Sequence, residues 1–288
     1  MIAVVGATGN TGRAVVKELM QLGHAPICVV RNPDKAREVL GEDAKTTVAE
    51  LTDRPALENA FTGVTSIFVV TGHNPNMVEQ QKNVLEAALE AGVQNLVRVS
   101  GSRFFLVPDS PSVIGRGHYA IEEQLRRSGI KWVILRPGFF MQNTFAQAAS
   151  IKNDGKIVLP FAADLPFAFI DVRDTGAVGA RVLLNPAPHI GKVYEFTGAR
   201  SNFTEFADVF SQVLGHKITY IAVPFEQAEQ AMKGRGMPDW LITHQRTAAQ
   251  IAANGGLASE VTEPIRNIVC RAPLTTKQFV DDHKAVFN

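Results

Sequence analysis

The sequence predicts an α/β protein: a doubly wound parallel sheet with a smaller C-terminal lobe. Three observations carry this reading. Short apolar runs alternate with amphipathic stretches from the N-terminus to Arg136. The fourth run, Ser66-Ile67-Phe68-Val69-Val70-Thr71, is almost wholly apolar, as a strand covered on both faces has to be. The alternation then breaks, because residues 139–152 are aromatic and polar. Residues 1–150, with a return strand near 190–198, are assigned to the sheet domain, and 151–288 mainly to a discontinuous lobe.

The elements follow in order. Residues 1–5 form the first strand. An amphipathic helix runs from Val15 to a stop at Gly23, and residues 25–30 make the second strand. A short helix starts at Pro33 and reaches Leu40. Residues 46–51 form the third strand, and a helix over 55–61 opens at Thr52-Asp53-Arg54-Pro55. After the fourth strand come a long helix over 77–91, a fifth strand over 95–100, a crossover helix that includes 121–127, and a sixth strand over 131–136. In the lobe, residues 157–161 and 167–172 read as strands and 174–184 as a helix. Residues 193–197 return to the main sheet. Thr204 is the expected N-cap of a helix ending at Leu214. A strand over 218–223 follows, and mostly helix beyond Phe225.

The first βαβ unit carries the most specific chemistry. Between its first strand and helix lies Gly6-Ala7-Thr8-Gly9-Asn10-Thr11-Gly12. Gly6 allows a tight turn, Gly9 lets a pyrophosphate approach the backbone, and Gly12 lets helix and strand pack closely. The free N–H groups of the first helical turn then face the phosphates, aided by the helix dipole. This is a Rossmann-type dinucleotide site. The second strand ends at Arg31, with no acid before Asp34. An arginine there favours the 2′-phosphate of NADP over the bare ribose of NAD, and Lys35 is placed to assist.

Composition excludes other classes. With 29 basic and 28 acidic residues the net charge is +1, and no run of like charge points to nucleic acid or an anionic membrane. No apolar stretch reaches the roughly 18 residues of a membrane span. The opening strand begins at Met1 and leaves no room for a removable leader. Cys28 and Cys270 have no metal-ligand spacing, and Cys28 reads as a small core residue. A reducing, cytoplasmic setting fits, and no metal is expected. Lys233-Gly234-Arg235-Gly236 reads as a solvated turn. His189, His216, His244 and His283 stand alone in the sequence.

Several motifs together resemble the NmrA-like branch of the atypical short-chain dehydrogenase/reductases. The glycine loop is similar to theirs, and so is Val30-Arg31-Asn32-Pro33 at the end of the second strand. Leu135-Arg136-Pro137-Gly138-Phe139-Phe140-Met141-Gln142-Asn143 resembles the branch's sixth-strand signature. Phe169-Ile170-Asp171-Val172-Arg173-Asp174 and Gly191-Lys192-Val193-Tyr194-Glu195-Phe196-Thr197-Gly198 resemble its next two markers. The likeness spans about residues 1–225. It implies that Thr8, Asn10 and Thr11 lie on the pyrophosphate side, Glu50 and Leu51 at the adenine, and Thr71 and Gly72 at a ribose. Pro137, Gly138, Phe139 and Phe140 would approach the nicotinamide, with lobe packing as the other reading of the two phenylalanines. An Asp is more usual at the position of Glu50.

The catalytic pattern departs from the wider superfamily, which uses Ser, Tyr and Lys with Tyr-x-x-x-Lys on the fifth crossover helix. Here Ile114 takes the tyrosine position and His118 the lysine position, while Tyr119 points roughly 100° away from His118. His118 has three readings: a ribose contact, a proton donor near neutral pH, or a helix-surface histidine without a role. Ser100 or Ser102 could stand near a substrate oxygen, and Glu122 reads as a structural partner. The expectation is an NADPH-dependent reductase that passes hydride to a small, electron-poor acceptor such as a quinone, which can collect its proton from water. The alternative is an NADP-binding sensor or regulator of the same family, acting through a homodimer or a protein partner.

Overall fold

The computed structural model describes residues 1–255 and 260–288. Six strands of the main sheet come in the first half of the chain: β1 (Ile2–Val5), β2 (Ile27–Val30), β3 (Thr46–Val48), β4 (Ser66–Val69), β5 (Asn95–Val99) and β6 (Lys131–Pro137). Between them run α1 (Asn10–Gln21), α2 (Pro33–Leu40), α3 (Arg54–Ala60), α4 (Met77–Glu90) and α5 (Val113–Arg127). The lobe segments β7 (Phe139–Phe140), α6 (Ala148–Asp154), β8 (Lys156–Leu159) and β9 (Phe167–Ile170) follow, and then α7 (Val172–Leu184), which returns to the main sheet. β10 (Val193–Phe196) pairs parallel with β6 and completes seven strands in the order β10-β6-β5-β4-β1-β2-β3. The remaining elements are β11 (Arg200–Ser201), α8 (Phe203–Leu214), β12 (Thr219–Ala222), α9 (Phe225–Gly234), α10 (Asp239–Ala253), α11 (Pro264–Val269), α12 (Thr276–Asp282) and α13 (Lys284–Phe287).

Both faces of the sheet are covered, which is why β4 is buried at every position. On one face Val15, Val16 and Leu19 of α1 meet Ala177, Val178 and Val182 of α7, and Ile265 and Val269 of α11 join them. On the other, Leu57, Val84, Leu85, Ala88 and Leu125 of α3, α4 and α5 pack under Ala3, Val5, Ile67 and Ile134. The lobe has its own core of phenylalanines, including Phe167, Phe169, Phe203, Phe206, Phe210 and Phe279. Its small sheets run β11-β9-β7 and β12-β8.

Local chemistry sets the helix starts. Asn32 caps α2, accepting from Asp34 N at 2.9 Å and Lys35 N at 3.0 Å, with Pro33 preset for the first turn. Asp53 caps α3 through Ala56 N at 3.0 Å. Ser112 caps α5 through Gly115 N at 3.1 Å. The third strand is shorter than expected, ending at Val48, and three further boundaries differ for local reasons. α1 starts at Asn10, five residues before the first apolar position, because its first turn is made of the polar residues that border the cleft. The cap of α8 is Asn202 rather than Thr204: its Oδ1 accepts from Glu205 N at 2.8 Å, while the Thr204 hydroxyl turns to Ala163 O. Lys233 and Gly234 close α9, with Lys233 paired to Glu229, so only Arg235 and Gly236 form the turn.

Candidate functional site

A cleft of about 490 Å³ opens beyond the carboxyl ends of β1, β2 and β4. Sheet order reverses between β1 and β4, and in an open α/β sheet that switch point is where ligands lie. Gly6, Thr8, Gly9, Asn10, Thr11 and Gly12 form its floor. A Cβ on Gly6, whose φ is +81°, would sit 1.9 Å from Val70 O, and one on Gly12 would sit 2.1 Å from Gly6 O. Those two glycines let β1, β4 and α1 approach. Gly9 differs: its nearest neighbour to an added Cβ is Gly6 O at 3.5 Å, so its bareness leaves the loop surface open. Gly9 is also the N-cap of α1, no side chain caps it, and the first turn has no acid. The N–H groups there are available to an anion.

Arg31, Glu50, Leu51, Thr71, Gly72 and Phe140 complete the part of the wall named from the sequence. The positive Arg31 stands exposed where β2 ends. The cleft is thus a glycine cradle at a helix start, with a cation at one end and Phe140 at the other. That set fits a phosphorylated dinucleotide.

Other expected residues stand elsewhere. Lys35 is exposed in the first turn of α2 and does not line the cleft. Pro137 and Gly138 border a smaller hollow of about 70 Å³ beside Arg136, Glu195 and Thr197. They do so because β6 runs on to Pro137 beside β10, and a Cβ on Gly138 would meet Thr197 Cγ2 at 3.1 Å. Phe139 belongs to the lobe core: its ring meets Phe167 at 5.5 Å and Phe169 at 5.9 Å between centroids. Successive strand residues face opposite ways, so Phe139 points into the lobe while Phe140 reaches the cleft.

Ser100 is buried and donates to Glu122 Oε1 at 2.6 Å, so its hydroxyl is engaged in the core. Glu122, 1% exposed, also accepts from Arg136 Nη2 and Arg126 Nη2, each at 2.6 Å. Burial pushes its carboxyl up, but the hydrogen bonds from Arg136 and Ser100 outweigh this and hold it below the usual range. Ser102 borders the smaller hollow.

His118 is buried rather than on a helix surface. Its Nδ1 lies 2.7 Å from Arg98 Nη2, and its Nε2 lies 3.4 Å from His73 Nε2. Burial, then the Arg98 charge, lowers its pKa well below 6.5. Both effects disfavour the charged form that a proton donor near neutral pH would use. His244 does not stand alone: its ring is 5.6 Å from that of His73, and its Nδ1 is 2.8 Å from Ser112 Oγ. Burial pushes its pKa down to about 4. His189 contacts the Tyr194 hydroxyl at 2.7 Å, and His283 packs on Phe145 and Phe279.

His73, Asn74, Gln80, Gln142 and Asn143 line the cleft and were not anticipated. The first two directly follow Thr71-Gly72 in the loop after β4, and that position was the available signal. Among the described residues, no group of three or more His, Cys, Asp or Glu is placed to hold a metal ion. None of the described helices is long and apolar enough to cross a membrane.

Comparison with known proteins gives consistent matches. The profile described as the NmrA-like family matches residues 1–265. The chain is 34% identical over 289 residues to the NAD(P)H azoreductase of Xenophilus azovorans, covering 100% of this chain and 99% of that protein. It is 31% identical over 261 residues to quinone oxidoreductase 2 of Escherichia coli, covering 89% and 90%. The crystal structure of that NADPH-dependent quinone oxidoreductase in complex with NADPH superposes with a TM-score of 0.85 at 29% identity, covering 100% of both chains.

Proposed function

The chain belongs to the NmrA-like family, and from that premise we propose that it is an NADPH-dependent reductase of small, electron-poor acceptors of the quinone or azo type. One observation carries the reading: the cleft joins an uncapped helix start, a bare Gly9 and Arg31 in a single continuous surface. The relatives named as NAD(P)H azoreductase and quinone oxidoreductase support the acceptor class.

When bound, the dinucleotide supplies hydride, two electrons with one proton. The chain's residues bind and orient. The N–H groups of Asn10, Thr11 and Gly12, with the side chains of Thr8, Asn10 and Thr11, receive the pyrophosphate. Arg31 meets the 2′-phosphate, with Lys35 a further cation on its approach. Glu50 and Leu51 flank the adenine, Thr71 and Gly72 a ribose, and Phe140 the nicotinamide end. Residues 1–150 with the return strand carry the dinucleotide, and the lobe, mainly residues 151–288, shapes the acceptor end. The acceptor gains two electrons and a hydrogen at one atom, becomes an anion and takes a proton from water. Neither a tyrosine nor a charged His118 is required, and positioning supplies most of the rate.

The test is NADPH consumption by purified protein with a panel of quinones and azo dyes, beside a binding titration of NADPH against NADH. Rapid oxidation by one acceptor class is expected, with tighter binding of NADPH. Tight binding without turnover by any acceptor overturns the enzyme reading and leaves a dinucleotide-responsive sensor.

A further inference from the structure

A line of hydrogen bonds leaves the cleft wall and returns to it. Thr71 Oγ1, on the wall, accepts from Gln81 Nε2 at 2.8 Å. Gln81 Oε1 accepts from Arg98 Nε at 2.7 Å. Arg98 Nη2 meets His118 Nδ1 at 2.7 Å, and His118 Nε2 faces His73 Nε2 at 3.4 Å. His73 lines the cleft.

Chemistry fixes the direction of this line. A guanidinium only donates, so His118 Nδ1 must accept. A neutral His118 therefore carries its hydrogen on Nε2, aimed at His73. His73 Nε2 accepts in turn, which puts the His73 hydrogen on Nδ1. Arg98 is 1% exposed, and the buried carboxylate nearest in the same core, Glu122, is already taken by Ser100, Arg126 and Arg136. Burial pushes the Arg98 guanidinium down to about 9, which still leaves it cationic at pH 7.

The geometry points to His73 as the hydrogen-bond donor to the acceptor's oxygen or azo nitrogen as hydride arrives, with His118 and Arg98 as positioning residues that fix its tautomer. This rests on the reductase reading above. No bond to His73 forms or breaks. The hydride's electrons leave negative charge on the acceptor atom, a preset N–H stabilises that charge, and water supplies the proton. The charged and titratable groups facing His118 are Arg98 on β5, Arg136 on β6, His73 on the loop after β4 and His244 on α10. All four disfavour a protonated His118. The pKa of His73 is likewise lowered, first by burial and then by Arg98. Both shifts favour the neutral form of the donor pair.

Two measurements test this. Nitrogen-15 imidazole spectra of the free wild-type protein at pH 7 should show His118 with its hydrogen on Nε2 and His73 with its hydrogen on Nδ1. The opposite tautomer at either ring, or a protonated His118, overturns the proposal whatever the enzyme turns over. In the assay, His73→Ala should lower kcat about tenfold to a hundredfold with a quinone, while the Kd for NADPH changes by less than about threefold. Arg98→Met should give kcat a limb that rises in acid, at a higher pH than any such limb of wild type, because losing the Arg98 charge makes His118 easier to protonate while burial still holds its pKa below 6.5. If wild type turns over quinones and His73→Ala stays within about twofold, the proposal fails while the reductase reading stands. If wild type turns over nothing, the reductase reading fails, and the spectra still decide the tautomers.

Discussion

At Glu122, one carboxylate holds together two strands and a helix. It sits on α5 and receives Ser100 from the end of β5 and Arg136 from β6. Glu122→Gln removes a buried charge that two arginines require, and the expected loss is about 3 kcal/mol at pH 7. Its folded pKa lies below the ordinary value, so its stabilisation is full above about pH 4.5 and fades as pH falls through the folded value. Urea midpoints of wild type and Glu122→Gln should therefore converge in acid; a gap that stays constant refutes the assignment. The histidines act in a different window. His73, His118 and His244 all have lowered pKa values, so the unfolded chain binds protons that the folded one refuses. Stability should fall as pH drops below about 6.5. Replacing His244 with Gln should flatten that slope in urea unfolding measured between pH 6.5 and 4.5. The sequence displayed His118 by its position on a known pattern. It hid Arg98, because an arginine inside an apolar strand reads as a flaw until its partners are seen.

Elements carry consequences of their own. α1 packs on β1 only because Gly12 lacks a Cβ, which would stand 2.1 Å from Gly6 O. Gly12→Ala must push the helix start away from the loop, and a loss of NADPH affinity of at least about tenfold is expected by titration, since the donor N–H groups move with it. At α8 the cap is Asn202, so Asn202→Ala should cost about 1 kcal/mol while Thr204→Ala changes little. Equal effects in thermal unfolding would reverse that assignment. Strands and crossover helices were legible because a sheet buried on both faces writes continuous apolar runs into the chain. Helix starts were less so: the polar first turn of α1 has no apolar period, and Asn202 and Thr204 are both good caps by type. The split between Phe139 and Phe140 follows from strand alternation, and the sequence did not say which ring faced inward.

For the whole molecule, ligand and fold are linked. The cleft draws its walls from the loop after β1, the ends of β2 and β4, and the segment from Phe140 to Asn143. Binding should therefore stabilise the entire domain: NADPH at about a hundred times its Kd adds about 2.7 kcal/mol and raises Tm by several degrees. NADH at the same concentration should raise it less, and Arg31→Asp should remove the difference; equal shifts in wild type would take the 2′-phosphate role away from Arg31. The cleft's floor was readable because three glycines and a following helix have one common use. The acceptor end was not, since it depends on which lobe residues fold back against the sheet.

That folding back also sets an order of assembly. β6 gains its outer neighbour only when residues 193–196 arrive, and the α1 face of the sheet is finished by Ile265 and Val269 near the end of the chain. A growing chain on the ribosome therefore cannot complete its nucleotide-binding half first and add the lobe afterwards. It must keep an open sheet edge and a bare apolar face waiting until those segments arrive, the kind of transient surface that favours aggregation during folding.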